Sequence, residues 1–412
     1  MKNERLFDSI LLKYNASAFH GNCPYFDSSK NYKAEALKYF EAFQKIGYDI
    51  FMDTNSSTSF TYTENIFTID DGVRQNTAQI FLHPIKDRQN LYVLKNTLVS
   101  KILFDDDKNA IGVEAILENN QTIIVKADKE VIVSGGAINT PQLLMLSGIG
   151  PKEHLKDQNI DVISDLPVGQ ALQDHIKVII THTMGNSTPA KPTIFPIPAI
   201  FGYLTLNKSQ NYPDYQAFTL LMNEPTAMLQ FCTFYYSFVD KICDALYNSS
   251  VGKPVLLTSH VLLYPNSRGK ILLRSKDPRV QPLIYNGYYS DNVDLDMHAR
   301  YIQDFLRVQY TKFFESVEAD MIIPEVCGCG DFNSTHNYYN CYVLCMMVSG
   351  CHYAGSSPIG AVVDSHLKVF GVQRLRVADA SIMPKIVGTN INAATIMIGE
   401  KAADFIKEDY IL

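Results

Sequence analysis

Two stretches of this chain gather residues whose side chains could do chemistry. In the first, five of the eight cysteines (Cys327, Cys329, Cys341, Cys345 and Cys351) lie close together, and His352 follows directly. Zinc sites pair their ligands two to four residues apart on both sides, a spacing this group does not follow. No metal is expected; the cluster reads as disulfides or core thiols, with the pairing open. By itself, His352 between Cys351 and Tyr353 reads as a satisfied, partly buried imidazole. The second stretch is Ser134-Gly-Gly-Ala137 followed by Asn139-Thr-Pro141. Glycines allow a tight turn, Thr140 can cap a helix, and proline suits the first helical position. The free N–H groups and dipole of such a helix start favour a phosphate or another anion.

The elements that must position these groups can be sketched from periodicity. Residues 33–47 repeat Leu37, Phe40 and Phe43 at helical spacing, with Gly47 as a stop. Short β-rich runs follow at 91–93, 98–104, 110–117 and 122–125. The acidic run Asp105-Asp-Asp107 lacks the alternating ligands and central glycine of a calcium loop, so it reads as a hairpin turn. Residues 130–134 are a short apolar strand of the kind buried on both faces of an α/β sheet, and they lead into the glycine turn and its helix. Strands are expected at 176–184, 215–222, 255–263 and 270–274, with a hairpin turn at 267–269 and a helix at 292–312. A last strand at 375–377 and a helix at 394–407 return to α/β texture, with Ile398, Ala402, Phe405 and Ile406 on one helical face.

Composition narrows the function classes. The chain has 412 residues, 46% hydrophobic and 19% charged, with a formal net charge of −7. That is a globular composition with room for a large core. An acidic chain without a basic cluster is a poor ligand for nucleic acid or anionic lipid. No apolar run is long enough for a membrane span, and the N-terminus has no signal-peptide pattern. Sequons at Asn15, Asn55, Asn120, Asn186, Asn207, Asn248 and Asn333 tilt the reading toward a secreted history.

Three segments together carry a family resemblance that none carries alone. The first is Ser134-Gly-Gly-Ala-Ile-Asn-Thr-Pro-Gln-Leu-Leu-Met-Leu-Ser-Gly-Ile-Gly150-Pro151. The second is Leu166-Pro-Val-Gly-Gln-Ala-Leu-Gln-Asp-His175, and the third runs from His352-Tyr-Ala-Gly-Ser356 through Leu375-Arg-Val-Ala-Asp-Ala-Ser381 to Asn390-Ile-Asn-Ala393 and Ile396-Met-Ile-Gly-Glu400. Their order and spacing resemble the glucose–methanol–choline (GMC) oxidoreductases, which are FAD-dependent alcohol oxidases and dehydrogenases. The insect glucose-dehydrogenase-like and ecdysone-oxidase-like branch is nearest.

The resemblance implies an α/β (α+β) fold: a partial three-layer FAD-binding domain plus an antiparallel-sheet substrate domain with helices on one side. Residues 1–175 would be part of the FAD-binding domain, 176–325 the substrate-binding domain, and 326–412 a catalytic segment returning to the first. By position His352 matches the family's catalytic histidine, and Asn392 the second member of its pair. Val99 matches the residue that meets adenine. Asp379 and Ala380 match the turn near the FAD diphosphate, and the N–H groups of Asn392 and Ala393 match the helix start facing the flavin. His175 reads as a structural hydrogen-bonding residue. The implied cofactor is FAD and the implied partner a small-molecule alcohol. The departures are equally specific. The sequence holds no G-x-G-x-x-G turn, the family's main pyrophosphate cradle, and Ala171 and Ala394 replace the usual asparagine and proline. A catalytically inactive, ligand-binding relative is therefore the alternative expectation.

Overall fold

The computed structural model describes residues 33–50, 60–64, 68–70, 73–185, 199–222, 225–329 and 335–411. Helix α1 (Lys33–Lys45) buries Phe40 and Phe43. It ends where Gly47 turns left-handed at φ 93° and Tyr48 N–H reaches back to the Phe43 carbonyl. The chain then adds β1 (Asp49–Ile50) and β2 (Thr61–Glu64) to the edge of a large sheet. An antiparallel meander follows, with β3 (Leu98–Phe104), β4 (Ala110–Ile116) and β5 (Thr122–Lys126). Asp105 closes its first hairpin by accepting the Asn109 N–H at 2.8 Å. Next come the short strand β6 (Val131–Val133) and helix α2 (Gly136–Leu146).

The chain continues into the large sheet with β7 (Ile176–Met184), β8 (Ala199–Leu204) and β9 (Tyr215–Met222). Helix α3 (Asp240–Ser250) precedes β10 (Val255–Leu262), and β11 (Lys270–Leu272) then pairs with β12 (Leu283–Tyr285). Helix α4 (Asn292–Phe305), β13 (Ala319–Met321), helix α5 (His336–Met346) and β14 (Met347–Ser349) follow. The sheet order is β1-β2-β8-β9-β10-β7-β13, with β14 also on β7. Every residue of β7 and of β10 is buried, so the sheet centre is covered on both faces, and polar side chains there need partners. The chain closes with β15 (Leu375–Val377) and helix α6 (Asn392–Tyr410).

Two cores result. One fills the large sheet and its helices, and it also takes Phe40, Phe43 and Tyr62 from the beginning of the chain. The other joins β3, β6, α2, β15 and α6, burying Ile102, Leu144, Val133, Val377 and Phe405 among others. In this second core β6 and β15 form a parallel pair, Val131 opposite Leu375 and Val133 opposite Val377. Arg376, 1% exposed, sits beneath the pair and is held by Glu130 at 2.8 Å and by Asp409 of α6.

Several expectations need correction. Residues 91–93 form no strand; Tyr92 and Val93 are exposed. No hairpin turn lies at 267–269, because β11 pairs with β12 and not with β10. Helix α2 starts at Gly136, so Thr140 and Pro141 lie inside it and not at its start. Pro141 lacks the N–H that the Ala137 carbonyl would accept in a regular helix, and the Ser356 hydroxyl donates to that carbonyl instead at 2.6 Å. Within the cysteine cluster Cys327 bonds Cys345 and Cys329 bonds Cys341, while a third disulfide joins Cys232 to Cys243. Cys351 remains an exposed free thiol. The sequons at Asn15, Asn55, Asn186 and Asn333 lie outside the described residues; Asn120, Asn207 and Asn248 are exposed. Among the described residues no helix is long and apolar enough to cross a membrane.

Candidate functional site

His352 owes its position to an irregularity in strand pairing. Strand β14 runs antiparallel to β7 with Ser349 opposite Ile176, and the Gly350 N–H continues the ladder to the His175 carbonyl at 2.7 Å. Gly350 is needed there, since a Cβ would stand 2.6 Å from that carbonyl oxygen. The next paired residues are Gln173 and Ala354, exchanging two bonds of 2.9 Å. Residues 351–353 therefore bulge opposite Asp174 alone, with Cys351 in the left-handed region at φ 57°. Bulges re-aim side chains, and this one turns the His352 ring onto His175.

Gln173, Asp174 and His175 each hold a different part of the site. Gln173 Nε2 donates to the Pro384 carbonyl at 3.2 Å, and its Oε1 accepts the Ile386 N–H at 3.1 Å. Asp174 Oδ1 accepts the His352 N–H at 2.7 Å, and Oδ2 accepts the Tyr288 and Ser349 hydroxyls. Burial nevertheless raises the Asp174 pKa, those hydrogen bonds opposing it. His175 is fully buried; its Nδ1 lies 2.9 Å from His352 Nδ1 and its Nε2 3.1 Å from the Leu263 carbonyl. The two rings meet edge to face, with centroids 5.0 Å apart. Burial, reinforced by His352, pushes His175 down to about 3. Burial and the nearby Lys177 push His352 down to about 4. Both rings are therefore neutral at pH 7.

The remaining ring nitrogen, His352 Nε2, faces Asn390, whose Nδ2 stands 3.3 Å away. Asn390 Oδ1 accepts from Gln216 Nε2 of β9 at 3.3 Å, and the Tyr203 hydroxyl of β8 bonds Thr389 at 2.8 Å. The large sheet thus supports one end of the 384–391 loop and Gln173 the other. The asparagine in hydrogen-bond reach of His352 Nε2 is thus Asn390. Asn392, two residues later, opens α6 with its side chain exposed. Ala393 follows it in the first turn, also exposed, and no side chain caps that helix start.

Asp379 and Ala380 are buried at the end of β15. Asp379 Oδ2 accepts the Gly136 N–H at 2.9 Å and the Thr140 hydroxyl at 2.6 Å, and Oδ1 accepts the Ser381 N–H at 2.7 Å. A carboxylate of the chain itself thus takes the Gly136 N–H at the start of α2, the position an anion would favour. Ala380 offers its carbonyl to the Gly355 N–H at 3.1 Å, tying this turn to the segment that carries His352.

Val99 lines a cleft of about 600 Å³ together with Leu98, Val131, Ile132, Val133 and Gly135. His352 is not among its lining residues. In the cleft β6 shows a bare edge: among the described residues β15 is its sole strand partner, Ile132 is 45% exposed, and Glu130 Oε1 is buried with no hydrogen-bond partner. Parallel strands are normally covered on both faces and extended sideways. As a test of fit for FAD, the described residues supply one apolar wall and a bare strand edge, but no glycine turn for the pyrophosphate.

Sequence reasoning did not single out Asn390; His175, read as a structural hydrogen-bonding residue, bonds the Leu263 carbonyl and the His352 ring. The family motif points to Asn392, whereas the loop residue two places earlier is the one that Gln216 of the large sheet contacts. The signal available for His175 was its neighbours Gln173 and Asp174, three polar residues in a row at the mouth of an apolar strand.

Comparison with known proteins places these features in a wider group. Residues 27–177 match the N-terminal, and residues 265–399 the C-terminal, of two family models described as GMC oxidoreductase. The chain is 34% identical to ecdysone oxidase of Bombyx mori, a match covering all of this chain and 64% of that protein. It is 32% identical to the FAD, quinone glucose dehydrogenase of Drosophila pseudoobscura pseudoobscura, covering 89% of this chain and 61% of the relative. The chain thus spans just under two thirds of the length of these relatives. Among solved structures, a formate oxidase variant from Aspergillus oryzae RIB40 superposes with a TM-score of 0.79 at 21% identity, over 94% of this chain and 73% of that one. An FAD-dependent oxidoreductase from Chaetomium thermophilum gives 0.75 at 22% identity, over 95% and 74%. At such identities the likeness is one of fold.

Proposed function

The chain belongs to the GMC oxidoreductase family, whose cofactor is FAD, and we propose that it carries the proton-transfer half of an oxidoreductase acting on the CH–OH group of a small-molecule alcohol. The observation that carries this reading is a neutral imidazole whose Nε2 is met by an amide that a buried glutamine orients. FAD, when bound, supplies the acceptor for the carbon-bound hydrogen, which leaves as hydride. His352 Nε2 takes the hydroxyl proton as the carbonyl forms. On alcohol binding the Asn390 Nδ2 donor, which meets His352 Nε2 in the free protein, passes to the alcohol oxygen, orienting it and leaving the Nε2 lone pair to the hydroxyl proton. Asn392 and Ala393 contribute uncapped N–H groups at the start of α6, suited to negative charge developing on the cofactor ring. Val99 would meet the adenine end from the cleft wall, and the Asp379–Ala380 turn would lie by the diphosphate.

The test uses this chain joined to a preceding segment that carries a G-x-G-x-x-G turn. FAD retained after gel filtration should be bleached anaerobically by a primary or secondary alcohol. His352→Ala should slow that bleaching by roughly a hundredfold to ten-thousandfold with FAD still bound. Full bleaching in His352→Ala removes the histidine from this role. No bleaching by any alcohol favours the second reading, a non-catalytic relative that binds a small alcohol. What supports that second reading is the departure from the family pattern at Ala171 and Ala394. Under either reading the chain as given should retain little or no FAD.

A further inference from the structure

His352 can carry its one ring proton on either nitrogen, and only one form leaves Nε2 with a lone pair. The neighbours decide which. Two backbone carbonyls, Leu263 and Val387, act on His175; the one in hydrogen-bond geometry is Leu263, 3.1 Å from Nε2, and since a backbone carbonyl only accepts, Nε2 is the donor. His175 is neutral, because burial suppresses its protonation far below pH 7. A neutral imidazole that donates from Nε2 has a bare Nδ1. That bare Nδ1 lies 2.9 Å from His352 Nδ1. Two bare nitrogens would repel at such a distance, so the proton between them belongs to His352 Nδ1. His352 Nε2 is then the unprotonated nitrogen, and the Asn390 amide donates to it at 3.3 Å. The amide end of Asn390 is the one presented because Gln216 Nε2 already donates to its Oδ1.

We propose that His175 is a positioning residue: anchored to the Leu263 carbonyl, it fixes His352 in the Nδ1–H tautomer and keeps the Nε2 lone pair turned toward the substrate hydroxyl. The Gly350 approach and the β7–β14 register hold the two rings in place, so the tautomer is set by the sheet before any ligand arrives. The inference deepens the reading of His352 as the base. It concerns a proton's location, however, and that can be observed without flavin or turnover.

The experiment is a long-range proton–nitrogen correlation spectrum of the chain labelled with ¹⁵N-histidine at neutral pH, with His352 assigned by its loss in His352→Gln. The wild type should show His352 protonated at Nδ1 and bare at Nε2. His175→Gln can still donate to Leu263 from its amide but leaves no acceptor where Nδ1 stood. His352 should then drift toward the Nε2–H form. His175→Asn places a carbonyl oxygen near the old Nδ1 position and should restore the Nδ1–H form. A wild-type His352 protonated at Nε2 overturns the proposal, as does an unchanged Nδ1–H form in His175→Gln. If neither variant folds, the wild-type spectrum decides alone. Alcohol turnover that survives His352→Ala would defeat the functional reading yet leave these spectra unchanged, so the two failures are distinguishable.

Discussion

The Asp174 carboxylate accepts the backbone N–H of His352 at 2.7 Å while also receiving the Tyr288 and Ser349 hydroxyls. One buried side chain thus secures the bulge that carries the candidate base. Hydrogen bonds to a charged group contribute about 1.5–3 kcal/mol each, and groups stranded by its loss add a desolvation cost. Asp174→Ala should therefore destabilise the protein by roughly 3–5 kcal/mol. Urea unfolding followed by far-UV circular dichroism measures this; a loss below about 1 kcal/mol would show the three donors find other partners.

The two asparagines should separate cleanly. In a flavin-loaded form, Asn390→Ala should lower turnover by about tenfold to a hundredfold, the worth of one hydrogen bond to a charge-bearing oxygen. Asn392→Ala, at an exposed helix start, should change the rate by less than about threefold. Steady-state kinetics on both variants decides the assignment, and the reverse ranking would return the pairing to Asn392.

Acid should act on both activity and stability. His352 has its pKa depressed to about 4 and faces His175 and Lys177, with Asp174 behind its backbone. The base form is thus present at neutral pH, and kcat/KM should be flat there and fall as pH drops through about 4. Lys177→Met should move that acid limb upward. For stability the sign is the same. His175, His182, His298 and His352 all have folded pKa values well below the ordinary 6.5, chiefly from burial. Between about 6.5 and their folded values the unfolded chain binds more protons, so stability falls as pH is lowered. Urea midpoints from pH 7 to 4 should decline steadily; constancy would mean these histidines are not neutral in the fold.

Peptide mapping without reduction should recover the links Cys232–Cys243, Cys327–Cys345 and Cys329–Cys341. A mild alkylating reagent on the native protein should label Cys351 and leave those six untouched. Labelling of Cys327 or Cys341 in the folded state would contradict the pairing.

Much of this was legible from residue order. The central strands announced themselves because long β-branched and aliphatic runs such as 176–184 and 255–262 have few other ways to be buried. Helix α2 was recognised but started four or five residues late. Thr140-Pro141 carries every local mark of a helix start, and the tertiary contact that overrides it, Ser356 on the Ala137 carbonyl, comes from 219 residues away. The family motif singles out His352 and Asn392, whereas the asparagine that hydrogen-bonds the His352 ring is Asn390. Asn390 is held there by Gln216, on a strand that no local pattern links to that loop. The disulfide pairing could not be read at all, since spacing does not fix connectivity.

The parallel pair of β6 and β15 also constrains how the chain can come off the ribosome. The Ser134 hydroxyl and the Ala378 carbonyl it reaches are 244 residues apart in sequence. During synthesis β6 and α2 therefore emerge long before their partner strand exists. Every strand of the large sheet, by contrast, lies between residues 49 and 349 and is complete before β15 appears. Vectorial synthesis thus favours the sheet core first, with the second core closing only when the C-terminal segment arrives. Until then Val131, Ile132 and Val133 are apolar surface awaiting a partner, the interval in which a nascent chain of this fold is most exposed to wrong pairing.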